Sequence, residues 1–306
     1  MALTSCLIPL YRSARFLDII ADNIAAIIDG DVEIILSDRH GDADCRTALK
    51  QRFGSAPNIA YIVEADDADW VENMNGLLRR ASGRYLRILP HDDTSPRGAH
   101  EALLAALEAN PDAVGAYGPI EAIGFDGTRM PRQDQPNDEE DAGATGWRLD
   151  DPLPLFWTGR FGGAFKGLFR GDVIRARSLF IRKTPALMHS ERAWLFGMGL
   201  AGRFRFVPEA LLVKRYHATS AHRGWRPSAA ALLDAAEAMA GYLDAGWVDP
   251  ALAEFARRDI YWNAFRRARC FPDAPAPRYR PFPAADGEHW RNRPIRLENA
   301  EITHFG

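Results

Sequence analysis

Five short runs rich in branched and aromatic residues alternate with four helical patterns through the first 120 residues. "SCLIPLY" (5–11), "VEIILSD" (32–38), "IAYIVE" (59–64), "YLRILPH" (85–91) and "AVGAYGPI" (113–120) read as strands. Helical patterns lie between them at about 14–28, 42–53, 69–82 and 97–109. Repeated β-α alternation predicts a mostly parallel sheet covered by helices on both faces. In such sheets ligands bind at the crevice outside the carboxyl ends of the strands.

One of those strands ends unusually. "RYLRILPHDD" (84–93) runs an apolar strand directly into His91, Asp92 and Asp93. Adjacent acids repel, and burial makes each costlier to ionise without a cation nearby. Neighbouring residues on an extended strand point to opposite sides, so the two carboxylates need not serve one ligand atom. One can accept hydrogen bonds from a sugar hydroxyl while the other binds Mg²⁺ or Mn²⁺, which neutralises both the acid and a diphosphate. A solvated turn is the plainer reading, because Asp-Asp-Thr-Ser-Pro also suits turns and helix caps.

The remaining composition narrows the class. At 306 residues, 47% hydrophobic and 26% charged, the chain has enough apolar content for a large core. A formal charge of −3 gives no global reason to expect nucleic acid. Cys6, Cys45 and Cys270 show no metal-binding spacing and read as free thiols in a reducing compartment. No basic leader or run of about 18 apolar residues is present. The expected location is the cytoplasm, with peripheral contact at the inner membrane face as an option. The first strand runs into Pro-Leu-Tyr-Arg with neither GxGxxG nor the basic glycine-rich loop of a nucleotidyltransferase after it, and P-loop and GxSxG signatures are absent.

Beyond residue 120 the pattern loosens. Residues 134–151 hold seven acids against one arginine and read as a surface excursion. The glycine- and aromatic-rich stretch that follows, with Trp157 and Phe161, reads as a covering loop or a tight connection. A helix from Ser190, a strand "FRFVPE" and the basic "KRYHATSAH" come next. Two helices are expected after residue 226, then a proline-rich tail. Between Arg257 and Arg296 ten arginines face four acids, with aromatics interspersed. This mix fits an anionic membrane surface or, preferably, the chain's own acidic body or a second copy in a homodimer.

The order of these segments resembles the family-2 inverting glycosyltransferases of the GT-A fold. The likeness runs from "SCLIPLY" through "EIILSDRHGD" and "NGLLRRASGRYLRILPHDD" to "SERAWLFGMGLAGRFRFVPEALLVKRYH", about residues 4–222. It implies an α/β fold with a Rossmann-like nucleotide half (about 1–120), an acceptor half (about 121–225) and a helical, Pro/Arg-rich extension (226–306). Pro9 and Tyr11 fall beside the nucleotide base, and Asp38 contacts it, with Asp42 four residues on. Asn75, Ala81 and Gly83 match the family's Asn-x-Gly-x-x-x-Ala-x-Gly region. The DXD-like element falls on His91, Asp92 and Asp93. By this resemblance Asp93 is the metal ligand, Asp92 contacts the nucleoside, Arg215 reaches the phosphates, and His217 approaches the metal, with His222 a weaker candidate. Glu191, at the start of a helix, is the implied general base. The chain departs from the pattern at Arg39-His40, Met74 and Pro90.

The implied activity is inverting, metal-dependent transfer of a hexose from a nucleoside-diphosphate sugar, with a UDP-sugar as first choice. The acceptor is a hydroxyl of a glycan, a lipid-linked sugar or another molecule, as in cell-envelope polysaccharide synthesis. The alternatives are a sugar-nucleotide-binding scaffold that keeps the shape without catalysis and, further off, a nucleotidyltransferase.

Overall fold

The structure is a computed structural model that describes residues 2–39, 43–54, 56–63, 68–130, 162–217, 228–272, 295–297 and 300–302. The periodicity of the first half becomes β1 (Thr4–Tyr11), α1 (Leu17–Ile27), β2 (Val32–Arg39), α2 (Ala43–Phe53), β3 (Ile59–Val63), α3 (Trp70–Arg80), β4 (Tyr85–Ile88) and α4 (Ala99–Ala109). β5 (Ala113–Tyr117), β6 (Ile120–Ile123), β7 (Leu168–Arg170), β8 (Arg203–Phe206) and β9 (Leu212–Arg215) follow. The main sheet has the order β3-β2-β1-β4-β7-β5-β8. Every pairing in it is parallel except those of β7, which runs antiparallel to both β4 and β5.

Two strands are shorter than the sequence pattern suggests, for reasons local to each. β4 stops at Ile88 because Pro90 cannot donate to a ladder, and the chain turns with Asp93 N donating to Pro90 O at 3.4 Å. The run 113–120 breaks at Gly118-Pro119. A Cβ on Gly118 would lie 1.9 Å from Ala210 O, so only glycine lets the two backbones approach. Beyond the break β6 leaves the main sheet and pairs in parallel with β9, in a two-stranded sheet that no sequence signal announced.

α3 shows how local chemistry and packing agree. Asp69 caps it by accepting from Val71 N and Glu72 N at 2.9 and 3.0 Å, and Glu72 Oε2 accepts from Asp69 N at 2.9 Å. Its apolar face, Val71, Met74, Leu77 and Leu78, packs into the largest core, together with Leu86, Phe169 and Trp194. Within this face sits Asn75, whose carboxamide donates to Ile181 O at 2.9 Å and accepts from Ile181 N at 2.8 Å. Asn75 therefore clamps α3 to the segment that leads into the helix Ser190–Gly199. After α3, Gly83 passes so close to β1 that a Cβ would lie 2.5 Å from Ser5 N.

The same core takes in the C-terminal helices Ala229–Leu243 and Pro250–Ala268. Gly197 admits Tyr242 against the helix Ser190–Gly199, since a Cβ there would lie 2.7 Å from the ring. The Tyr242 hydroxyl donates to Phe180 O at 2.7 Å and accepts from Arg182 N at 3.1 Å. Asp249 and Pro250 start the last long helix in the expected cap order. Among the described residues no helix is long and apolar enough to cross a membrane.

Two substitutions test these contacts. Gly83→Ala is expected to lower stability by about 1–3 kcal/mol through overpacking against the β1 backbone, read by denaturant unfolding. Asn75→Ala is expected to cost about 2 kcal/mol or more by stranding the Ile181 amide and carbonyl, while nucleotide affinity stays unchanged. Weakened nucleotide binding at unchanged stability would instead return Asn75 to the ligand site.

Candidate functional site

The carboxyl ends of β2, β1 and β4 lie side by side, and each delivers a polar group. Asp38 is in register with Leu10 on one side and Val63 on the other. Its side chain is 3% exposed, and Arg46 of α2 holds Oδ2 at 2.5 Å. On β1, Pro9 and Tyr11 are half-buried beside Ser37 and Arg39. Tyr11 N donates to Ser13 Oγ at 2.8 Å, and Arg12 adopts φ 51°, which turns the chain sharply off the strand. His91 Nδ1 donates to Pro9 O at 3.0 Å, so the acid turn is tied to the end of β1.

The two acids of that turn face different environments. Asp93 is 1% exposed. Its Oδ1 accepts from Arg215 N at 3.0 Å, and its Oδ2 lies 2.6 Å from Lys166 Nζ. Asp92 keeps 18% of its side chain exposed, with Oδ2 3.0 Å from His217 Nε2. Asn23 braces the turn from α1, donating to Asp93 O at 2.8 Å and accepting from Ser95 N at 3.0 Å. Thr94 and Val213 exchange two backbone hydrogen bonds of 2.9 Å, which carry β9 and its successor His217 alongside.

Electrostatics separates the pair further. Burial opposes the ionisation of Asp92, but the His217 hydrogen bond and the charges of His91 and Lys166 outweigh it and hold this carboxyl well below the usual range. For Asp93, burial is the largest influence. Together with the charge of Asp92 it overcomes the help from Lys166 and Arg215 N, and the carboxyl is raised.

The tautomer of His217 follows from its other partner. Arg15 Nη2 lies 3.1 Å from Nδ1, and a guanidinium can only donate. Nδ1 therefore accepts, and a neutral His217 carries its proton on Nε2 and donates it to Asp92. Phe16 is wedged between the imidazoles of His217 and His91, with centroids 5.0 and 5.3 Å away. Arg15 lies over Phe16 and over Phe125, a ring left 57% exposed at the rim.

The structure thus brings Pro9, Tyr11, Asp38, Asp92, Asp93, Arg215 and His217 to one edge of the sheet. Two of the expected residues have partners within the protein. Asn75 sits on α3 with both ends of its amide bonded to the Ile181 backbone. Asp93 does not face open space, because Lys166 and the Arg215 backbone hold its two oxygens. Glu191 is half-buried in the first turn of the helix Ser190–Gly199, as its register implied. Its helix start is pinned by Thr184, whose amide donates to Ser190 Oγ at 3.1 Å and whose hydroxyl donates to Met188 O at 2.9 Å.

Sequence reasoning missed Arg15, Phe16, Arg46 and Lys166. Lys166 is a single lysine in a glycine- and aromatic-rich run, and only the antiparallel insertion of β7 carries it to Asp93. Asp42, Trp157, Phe161, His222, the acidic run 134–151 and the tail 273–294 lie outside the described residues.

A divalent cation fits one part of this chemistry. Among the described residues no three His, Cys, Asp or Glu side chains gather into a metal-ligating group. Asp92, ionised and partly exposed beside an imidazole, matches the sparse protein set with which Mg²⁺ or Mn²⁺ is held when substrate phosphates supply other ligands.

Comparison with known proteins now bears on the arrangement. No curated protein sequence matches the chain. S. aureus TarS (residues 1–349), solved in complex with UDP-GlcNAc, superposes with a TM-score of 0.61 at 12% identity, over 87% of this chain and 74% of that one. The mannosyltransferase PcManGT from Pyrobaculum calidifontis, in complex with GDP-Man and Mn²⁺, gives 0.51 at 15% identity, over 88% and 75%. These likenesses show a shared fold, the GT-A arrangement of a mostly parallel sheet between helices. The family model for glycosyl transferase family 2 matches residues 5–173, more than half of the sequence, including β1, β2, β4 and the acid turn, and the chain belongs to that family.

Proposed function

We propose that the chain transfers a hexose from a nucleoside-diphosphate sugar to an acceptor hydroxyl with inversion, in a reaction that depends on Mn²⁺ or Mg²⁺. The observation that carries this reading is the acid turn after β4. It sets one ionised, partly open carboxylate, Asp92, beside His217 on the same sheet edge as Asp38. The nucleoside is assigned to Pro9, Tyr11 and Asp38, whose carboxylate Arg46 keeps in one orientation. A UDP-sugar is the first donor to test, with GDP-sugars next, because TarS and PcManGT were solved with donors of these two kinds.

Burial redistributes the roles of the adjacent acids. The cation is assigned to Asp92, with His217 beside it, while Asp93 anchors Lys166 and the strand that bears Arg215. When bound, the cation supplies positive charge to the diphosphate leaving group. His217 can turn a ring nitrogen toward it only if the proton on Nε2 is given up, which requires Arg15 to withdraw from Nδ1. Arg15 and Arg215 are assigned to the phosphate oxygens, Arg215 by exchanging its Nη1 bonds to Gly124 O and Phe125 O for them. Glu191, in the acceptor half, is assigned the removal of the acceptor proton as the hydroxyl attacks. The acceptor itself is a glycan, lipid-linked or other hydroxyl, and the arginine-rich tail is assigned to a self-contact or a second copy.

A second reading has its own support. Each of the three acids already has a partner in the protein, Arg46, His217 or Lys166, as expected of a donor-binding scaffold without turnover.

The test is calorimetric titration with UDP-, GDP-, dTDP- and CDP-sugars, with and without Mn²⁺, followed by transfer assays across acceptors. One donor should bind in a metal-dependent way and be turned over; binding without transfer or hydrolysis would favour the scaffold. Asp92→Asn should remove the metal-dependent part of donor affinity, and an unchanged metal effect would move the cation elsewhere. Glu191→Gln should leave donor binding intact and slow transfer about 10²-fold or more. Near-normal turnover would assign the base to another residue.

A further inference from the structure

Around the C-terminal end of α3 the chain gathers arginines that the acid edge does not use. Arg79 lies over the Phe180 ring at 4.9 Å. Arg175, on the short helix Gly171–Ala176, donates to Ala81 O at 3.2 Å and to Gly83 O at 3.1 Å. Arg84 follows that glycine and lies over Tyr85 at 5.3 Å. Arg177 lies over Trp247 at 5.4 Å, and Arg182 over Tyr242 at 5.0 Å. Further contacts string these positions together, because Gly171 N donates to Arg84 O at 2.8 Å and the Tyr242 hydroxyl to Phe180 O at 2.7 Å. Arg177 is half-buried, and the other four are exposed.

Among the described residues none of the five forms an ion pair. Arg46, Arg52, Arg205, Arg257 and Arg258, elsewhere on the chain, each hold a carboxylate. The acids of the neighbouring elements are engaged otherwise. Glu33 accepts from Ser82 N at 2.6 Å and from Gly83 N at 3.3 Å, Asp69 and Glu72 hold Lys183, and Asp244 holds Arg257. Asp249 caps the helix Pro250–Ala268, and Asp172 accepts from Val173 N at 2.9 Å. The outcome is a positive surface on a chain whose net charge is −3.

The manner of holding matters as much as the charge. Each guanidinium rests on a ring or carbonyl of its own, so the charges are fixed and spread out, which suits several separate phosphates better than one. A guanidinium lying flat on a ring keeps its N–H edge for phosphate oxygens. Phe180 and Trp247 are half-buried, so part of each ring reaches the surface beside its arginine. Aromatic rings at the level of lipid headgroups, with arginines drawn to an anionic leaflet, make the composition of a membrane interface.

We infer that this arginine surface is a docking face for an anionic phospholipid bilayer. Lipid phosphates meet the arginines, and the edges of Phe180 and Trp247 lie among the headgroups. The contact is electrostatic and reversible. Arg84 directly precedes β4, and Arg175 follows β7, which runs antiparallel to it, so the face lies at the end of the sheet away from the acid turn. Docking there leaves the acid edge open to solution. The inference is independent of sugar transfer and does not use it.

The test is flotation of the full chain with phosphatidylcholine vesicles that contain, or lack, phosphatidylglycerol. At about 0.1 M salt, where the Debye length is about 10 Å, the chain should float with the anionic vesicles alone and be released as salt rises. The pair Arg177→Gln and Arg182→Gln should weaken vesicle binding about 25-fold, roughly five-fold for each arginine. Should that double variant fail to fold, Arg79→Gln with Arg84→Gln is the second pair, with the same expected loss. Equal binding to both kinds of vesicle, or to neither, would overturn the inference. So would full binding in a folded double variant, which would place the contact in another part of the chain. Tighter binding to a single-stranded RNA oligonucleotide than to the anionic vesicles, at the same salt, would make this a nucleic-acid surface and overturn it as well.

Discussion

The burial of Asp93 is the constraint around which the active edge is built. A carboxylate with 1% exposure has to be satisfied from within, and two separate parts of the chain supply the partners. Lys166 comes from the segment before β7, and Arg215 N comes from β9, which is itself fixed by Thr94 and by pairing with β6. Removing one partner from a buried ion pair typically costs about 3–5 kcal/mol, because the other charge stays behind unpaired. The acid turn, the antiparallel insertion and the small second sheet therefore hold one another in place. Asp92, His217 and Arg215 owe their positions to that arrangement.

The same arrangement explains how two adjacent acids share one turn. From sequence, an arriving cation and nucleotide were needed to make the pair tolerable. In the folded chain the protein does this itself, with Lys166 against Asp93 and His217 against Asp92. The cost is unevenly divided. Asp93 is raised by burial and by its neighbour, whereas Asp92 is held low and remains the ionised, partly open group. The proposed cation site falls on Asp92 because Asp93 is part of the frame.

How much of this was readable beforehand depends on the range of the interactions. α3, β1 and β2 were found almost to the residue because their periodicity and caps are local. The helices Ala229–Leu243 and Pro250–Ala268 were found for the same reason. β7 was missed: three residues between glycine-rich neighbours carry no periodicity, and its place between β4 and β5 is decided by packing. Asp38 and Asp92 could be picked out because strand ends gather at one edge. Lys166, Arg46 and Arg15 could not, since a lysine or arginine in a loop or on a helix face has no spacing that names its partner. Asn75 and Gly83 were recognised as a pattern, and the fold gives each an internal contact that sequence does not name, a clamp on Ile181 and a close pass beside Ser5.

The division of labour between the adjacent acids is most directly tested by crystals grown with a bound nucleoside-diphosphate sugar and Mn²⁺, with data collected at the manganese absorption edge. The expected anomalous peak lies at the Asp92 carboxylate and the donor diphosphate, with Lys166 still paired to Asp93. A peak on Asp93 with Lys166 displaced, or a fully occupied nucleotide with no manganese at the acid turn, would contradict it.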